Sequence, residues 1–200
     1  MRRLSRFVAL TGALATSVWP LTVAPLFAGH VIVGAGPVFV PDLGPSGAGV
    51  SDTAARIATE IELSRQYCGW ITQKEYVVDC LSDELNRVAG MVPDTAEWAP
   101  TRSALRSASK QLSDIVAENE SAALKPGIAR VTTSDDPRTS TRPLRAVDTA
   151  KLDEVSAAAI GIIEETGTLL LRSSSQSDEA AGFVAISAAV RSNTILLRSL

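Results

Sequence analysis

One histidine in 200 residues, His30, leaves no multi-histidine metal cage to build. Two cysteines are too few for a disulfide-dense miniprotein or a four-cysteine zinc site. Aromatic residues make up only 4% of the chain, so any aromatic cluster must draw on a handful of side chains. Basic residues are in deficit, Lys+Arg 19 against Asp+Glu 22, whereas a general nucleic-acid binder needs a basic footprint. Charged side chains are missing altogether from Phe7 to Pro41. What is abundant is apolar surface: 46% of the residues are hydrophobic, too many for a disordered chain. The length suits one ordinary domain, or one domain plus a disposable segment.

The charge-free stretch reads as an export signal. Arg2, Arg3 and Arg6 form a positive start, Phe7 to Leu14 is an apolar, helix-permitting middle, and Pro20 and Pro25 break it. Small residues at Ala28 and Ala35 offer exits, so the signal is expected over 1–28, with cleavage as late as 35. Phe7 to Ala28 is also long enough to cross a bilayer, but the two prolines weaken an uncleaved anchor. Either way the body is expected outside the cytoplasm, periplasmic or secreted, because Arg-rich ends stay inside. Loss of the three leader arginines leaves 16 basic against 22 acidic residues, a net charge of about −6. Such a surface repels phosphate backbones and anionic headgroups, so no nucleic acid is expected, and no membrane contact except through an uncleaved signal.

Residues 29–50 hold six glycines and three prolines, a composition that predicts a flexible neck. Helical spacing follows. Ser51 can cap a first helix carrying Ile57 and Ile61 and ending near Cys68-Gly69-Trp70. Thr72-Gln73-Lys74-Glu75 is a capping-box pattern opening a second, with Tyr76, Val77, Cys80, Leu81, Leu85 and Val88 on one stripe and Gly90 as its stop. Pro100 suits the first turn of a third, with Leu105, Ala108, Leu112 and Ile115 on its inner face. Pro126, Pro137 and Pro143 lie among Ser, Thr and Arg and predict a solvated linker over 121–146, with an anion or partner contact by its five basic residues as the sharper alternative. Asp148 caps a fourth helix with Leu152, Val155, Ala159, Ile162, Thr166 and Leu169, and Ser177 a fifth with Phe183, Ile186, Val190 and Leu197. Nothing after residue 50 alternates with period two. The expected fold is all-α: a roughly five-helix bundle in a single domain, 51–200, with essentially no sheet.

Export implies oxidised thiols, so Cys68 and Cys80 are expected to be bridged. In one unbroken helix over 52–89 they would be offset by about 18 Å. A bridge needs alpha carbons within about 7 Å, so the chain must break between them, and Gly69 with Thr72 supplies the break. With Cys80 about two turns into its helix, Tyr67–Ile71 must fold back along it. The spacing is similar to short cysteine-bridged hairpins of small bacterial envelope proteins, a resemblance that implies no activity. Redox catalysis favours two close cysteines near a basic group, whereas here Asp79 adjoins Cys80 and disfavours a thiolate. Tyr67, Trp70, Tyr76 and Trp98 cluster around the bridge in sequence. They read as a small core packed on it or as a binding patch for a partner.

Apparent catalytic motifs fail on inspection. His30-Val-Ile-Val-Gly34-Ala-Gly36-Pro-Val-Phe39 lacks the third glycine and the helix of a dinucleotide-binding turn. Ser107-Ala-Ser-Lys110 falls mid-helix without the partner motifs of penicillin-recognising enzymes and reads as solvated surface. A Ser-His-Asp triad has only His30 to draw on. Asp79 with Asp83, and Asp114 with Glu118, read as wet surface pairs. No metal and no cofactor are expected. The favoured expectation is a non-enzymatic envelope protein that binds another protein or envelope component through a helical face. The alternatives are a small-ligand carrier with an interhelical cavity and a hydrolase or transferase working through carboxylates.

Overall fold

Ser51 sets the first helix. Its hydroxyl accepts the Ala54 N–H at 3.2 Å, satisfying an orphan amide at the start of α1 (Asp52–Gly69). The computed structural model describes residues 51–132, 137–174 and 179–200, all within the second of two units into which the chain divides, Asp42–Leu200. The leader, the neck with His30 and the Ser177 cap lie outside the described residues. A short 3₁₀ turn, Lys74–Tyr76, leads into α2 (Val77–Met91), and α3 (Ala99–Glu118) follows with Pro100 in its first turn. Asp148 caps a second 3₁₀ turn, Thr149–Lys151, its carboxylate accepting the Ala150 N–H at 2.9 Å, and α4 (Leu152–Ser174) continues from it. The last helix is α5 (Ala180–Leu197).

Three local expectations shift. The capping box does not close: Gln73 flanks the turn, and the Glu75 carboxylate accepts the Thr149 hydroxyl instead. Gly90 sits inside α2, which runs one residue further. On α4 the inner face takes Ile163 and Leu170, leaving Ile162 half-buried and Leu169 exposed. The stripe read from sequence kept a strict 3.5-residue repeat, and a straight helix drifts by about 20° per heptad against it, so the buried positions move one residue along.

The helices form a closed ring. Each packs on its sequence neighbours, and α5 closes back on α1. Cys68 meets Cys80, Ser64 meets Glu84 and Glu60 meets Arg87, so α1 and α2 are antiparallel. Ser82 and Ser109 exchange hydroxyl-to-carbonyl hydrogen bonds at 2.9 and 2.7 Å across α2 and α3. Ser187 donates to the Gly167 carbonyl across α4 and α5. An odd ring of antiparallel neighbours must close on one parallel pair, and that pair is α1 with α5: Ala54 lies beside Gly182, and Glu62 accepts from Ser192. Leu85, Leu105, Leu112, Ile163, Phe183 and Ile186 fill the centre, and Trp98 stacks on Phe183 with ring centroids 5.6 Å apart. Ala180–Leu197 is long and apolar enough to cross a membrane by length and composition. In this fold it is a core helix, with Ser187, Asn193 and Thr194 buried along it.

Gly182 makes the parallel contact possible. A methyl there would stand 2.6 Å from the Ala54 Cβ, on a rigid neighbour. Gly182→Ala is therefore expected to cost about 1–2 kcal/mol through overpacking. At Gly167 the added carbon would meet only the Arg191 side chain, an exposed group that can swing aside. Gly167→Ala is expected to be near neutral, since a helix gains about 1 kcal/mol from Gly to Ala. Urea unfolding of the two variants separates the cases.

The segment between α3 and α4 corrects the linker reading. It is closed at its base, where Asp148 N–H donates to the Asn119 carbonyl and Ser121 N–H to that of Ala146, both at 2.8 Å. Gly127 and Leu144 exchange both backbone hydrogen bonds, at 2.9 and 2.7 Å. β1 (Arg130–Val131) then pairs antiparallel with β2 (Arg138–Thr139), the only sheet among the described residues. The segment is thus a long irregular hairpin, folded out and back over α1 and α2. Backbone contacts fasten it: the Tyr76 hydroxyl donates to the Lys125 carbonyl, and Val147 N–H to that of Glu75.

Candidate functional site

The polar chemistry of the molecule converges under this hairpin. Asp79 and Asp83 were expected on wet surface, yet they are 0% and 3% exposed, and Glu84 beside them is 0% exposed. One face of α2 packs into the apolar core and the opposite face is covered by the hairpin, so the helix is buried almost all round from Val77 to Leu85. Buried carboxylates must be paired and hydrogen-bonded, and the hairpin supplies the partners. Asp79 accepts two hydrogen bonds from the Arg142 guanidinium, the nearer at 2.5 Å and the other at 2.9 Å. It also accepts the Arg145 N–H at 2.8 Å and that residue's guanidinium at 3.1 Å. Asp83 accepts the Thr141 N–H at 2.7 Å and the Thr141 hydroxyl. Glu84 Oε2 accepts from Ser64, Arg87 and Arg138, at 2.8, 2.9 and 3.3 Å.

Burial alone would raise the Asp79 carboxyl. The hydrogen bond and charge of Arg142, with the Arg145 N–H, outweigh it and hold Asp79 below the usual carboxylate range. The arrangement therefore fixes a permanent anion with its acceptor sites occupied. A general acid needs the opposite, a carboxyl kept protonated near neutrality beside open space. The row works as a clamp that holds the hairpin to α2.

Cys68 and Cys80 are bridged, with alpha carbons 5.7 Å apart, and both are fully buried. Because α2 starts only at Val77, Cys80 lies in its first turn, and the fold-back required of Tyr67–Ile71 is shorter than the sequence suggests. The four aromatics do not form one exposed patch. Tyr67 is buried, its hydroxyl donating to the Ala129 carbonyl at 2.9 Å beneath Arg138, whose guanidinium carbon is 5.8 Å from the ring centroid. Trp98 is in the core on Phe183, on the far side of the connection between α2 and α3. Tyr76 is half-buried, and Trp70 alone of the four is exposed, at 43%. Tyr67 carries an expected signature. Burial, reinforced by the negative charges of Glu84 and Asp83, raises its phenol to about 12. A raised folded value contributes stability fully present below the ordinary tyrosine value of about 10 and lost as pH climbs through the folded one. In a Tyr76→Phe chain, absorbance at 295 nm is expected to follow tyrosinate formation near pH 12, coupled to alkaline unfolding.

The surface offers open grooves. One of about 150 Å³ lies between Ile71 and Tyr76 on one side and Gly127, Ile128 and Leu144 of the hairpin on the other. Two of about 430 Å³ adjoin along the outer face of α3, one of them reaching α4. Ser107 and Lys110 are exposed there, Ser107 accepting from Gln111 and Lys110 pairing with Asp114, as befits solvated helix surface. Among the described residues no three His, Cys, Asp or Glu side chains stand where they could share a metal ion. The residues that sequence reasoning missed are Ser64, Glu84 and Arg87; Arg138, Arg142 and Arg145 belong to the five basic residues given an anion or partner contact as the sharper alternative, and the anions they meet are carboxylates of α2. The available signal was the basic surplus of 121–146 opposite acids spaced four apart on α2. No family model matches the chain, and comparison with curated proteins and with solved structures returned no match.

Proposed function

We propose that this is a non-enzymatic binding module of the cell envelope, exported to the periplasm or beyond, which engages another protein or envelope component through the outer faces of its helices. The observation that carries this reading is the saturation of Asp79: the best-placed carboxylate for chemistry spends its acceptor sites on two arginines. That disfavours a carboxylate hydrolase or transferase, which needs an ionisable group facing a substrate. The carrier alternative needs an enclosed apolar cavity, and the grooves described above open to solvent. The buried disulfide is compatible with an oxidising compartment, and the Arg-led apolar leader supports export. The test is cross-linking of the tagged chain in the envelope of its own host, followed by purification. A defined adduct at reproducible stoichiometry is expected, from chain lacking its leader and holding no free thiol. Full-length chain found alone in the cytosol with two free thiols contradicts the reading.

A further inference from the structure

We propose that the groove between the α1–α2 connection and the hairpin receives an extended acidic segment of a partner protein, which pairs with the Ile128 backbone, seats one apolar side chain in the groove and meets Lys125 and Arg130 with its acids. The inference rests on the binding-module reading and adds a strand edge to the helical faces named there. Of the five basic residues of 121–146, three are spent on α2: Arg138 on Glu84, and Arg142 and Arg145 on Asp79. Lys125 and Arg130 are left over. Both are exposed, and neither side chain makes an ion pair or hydrogen bond among the described residues. In sequence they flank Gly127-Ile128-Ala129, the hairpin wall of the groove. No acid lines the groove, and Glu75, between its residues Gln73 and Tyr76, turns its carboxylate to the Thr149 hydroxyl. Asp135 and Asp136 lie outside the described residues. An acidic segment is the electrostatic complement of this rim.

The backbone specifies an extended occupant. Gly127 exchanges both hydrogen bonds with Leu144, while Ala129 donates its N–H to the Ser140 hydroxyl and accepts the Ser140 N–H at its carbonyl. Ile128, between them, turns its own N–H and carbonyl to the opposite edge, where neither makes a hydrogen bond among the described residues. An added antiparallel strand takes up such a residue in a pair that exchanges both bonds. The floor specifies an apolar anchor. About 150 Å³ lies between Ile71, Tyr76, Ile128 and Leu144, and a cavity of about that size admits one benzene ring. Ile128 is 51% exposed, and Trp70, adjoining Ile71 in the chain, is 43% exposed. An aromatic side chain covers this surface, and a bare polyanion leaves it wet.

The probe is a fluorescein-labelled nine-residue peptide, a central phenylalanine between threonines with two glutamates beyond each, followed by anisotropy on the purified protein. Saturable binding is expected, weakened when glycine replaces phenylalanine. K125E/R130E is expected to weaken binding by about tenfold or more, and Arg56→Glu, an exposed site near the start of α1 outside the groove, by less than about twofold. N-methylation of the phenylalanine removes the N–H that pairs with Ile128 and is expected to weaken binding by about tenfold or more; at the preceding threonine, whose N–H faces away, the loss is expected to stay below about twofold. Circular dichroism and retained protection of the Leu144 and Val147 amides verify that both protein variants keep their helices and the hairpin. No binding, equal weakening by Arg56→Glu, equal weakening by N-methylation at either position, undiminished binding of the glycine peptide, or phosphatidylglycerol vesicles competing as well as unlabelled peptide each overturns the proposal. In the envelope cross-linking experiment, a partner retained by K125E/R130E refutes the groove alone. Absence of any partner for the unaltered chain refutes the binding-module reading beneath it.

Discussion

Asp79→Ala is expected to destabilise the protein by about 2–4 kcal/mol, read as a lower urea midpoint. Removing one side of a buried ion pair leaves the other charge unpaired, which costs about 3–5 kcal/mol when both are enclosed. Here the arginines retain partial access to water, Arg142 being 35% exposed, so the lower part of that range and somewhat below is expected. Asp79→Asn keeps the volume and removes the charge, and it carries the pH test. The Asp79 carboxyl is depressed in the folded chain, so its contribution is full above the ordinary aspartate value of about 3.9 and fades as pH falls through the folded one. The stability gap between the native chain and Asp79→Asn is therefore expected to hold from neutrality to about pH 4 and to shrink in stronger acid. A gap that widens in acid contradicts the assignment of Asp79 as a clamped anion.

Replacing both cysteines, C68A/C80A, is expected to cost about 2–3 kcal/mol, because the bridge closes a loop of only 12 residues and the entropy removed from the unfolded chain grows slowly with loop length. The mechanical consequence is more specific than the energy. The bridge ties the last turn of α1 to the first turn of α2, and the hairpin rests on both through Tyr67, Tyr76 and Asp79. Loss of the bridge is expected to loosen the hairpin before the ring, so hairpin amides gain exchange in C68A/C80A while those of α4 and α5 do not. Reductant added to the folded native chain is expected to leave the bridge intact, since both sulfurs are reached only when that end opens.

The helices were legible because each buries an apolar stripe. Ile57 and Ile61, Leu105 and Leu112, Phe183 and Val190 recur at helical spacing and point inward as read. The bridge was legible from the expectation of export and from chain geometry together. The hairpin was not, and the reason is physical. From Arg138 to Leu144 exposure alternates, with Arg138, Ser140, Arg142 and Leu144 more buried than Thr139, Thr141 and Pro143, although the Thr141 hydroxyl and the Arg145 guanidinium also reach inward, to Asp83 and Asp79. That is a strand-like period of two, but most of its inward members are polar, so hydropathy carries no trace of it. Their burial is intelligible only beside Asp79, Asp83 and Glu84, more than fifty residues away on α2. The four aromatics separate for a related reason: closeness in sequence to the bridge says nothing about side, and Tyr67 and Trp98 are buried at different places in the one core.

The central claim is that the segment joining α3 to α4 is a built part of the fold, clamped to α2 through the buried acids Asp79, Asp83 and Glu84. Native-state hydrogen exchange at Thr141, Leu144, Arg145 and Val147 tests it most directly, since these amides donate to Asp83, Gly127, Asp79 and Glu75 in turn. Protection approaching that of α2, and lost in Asp79→Ala, is the expected result. Exchange at the rate of an open chain in the native protein would contradict the account.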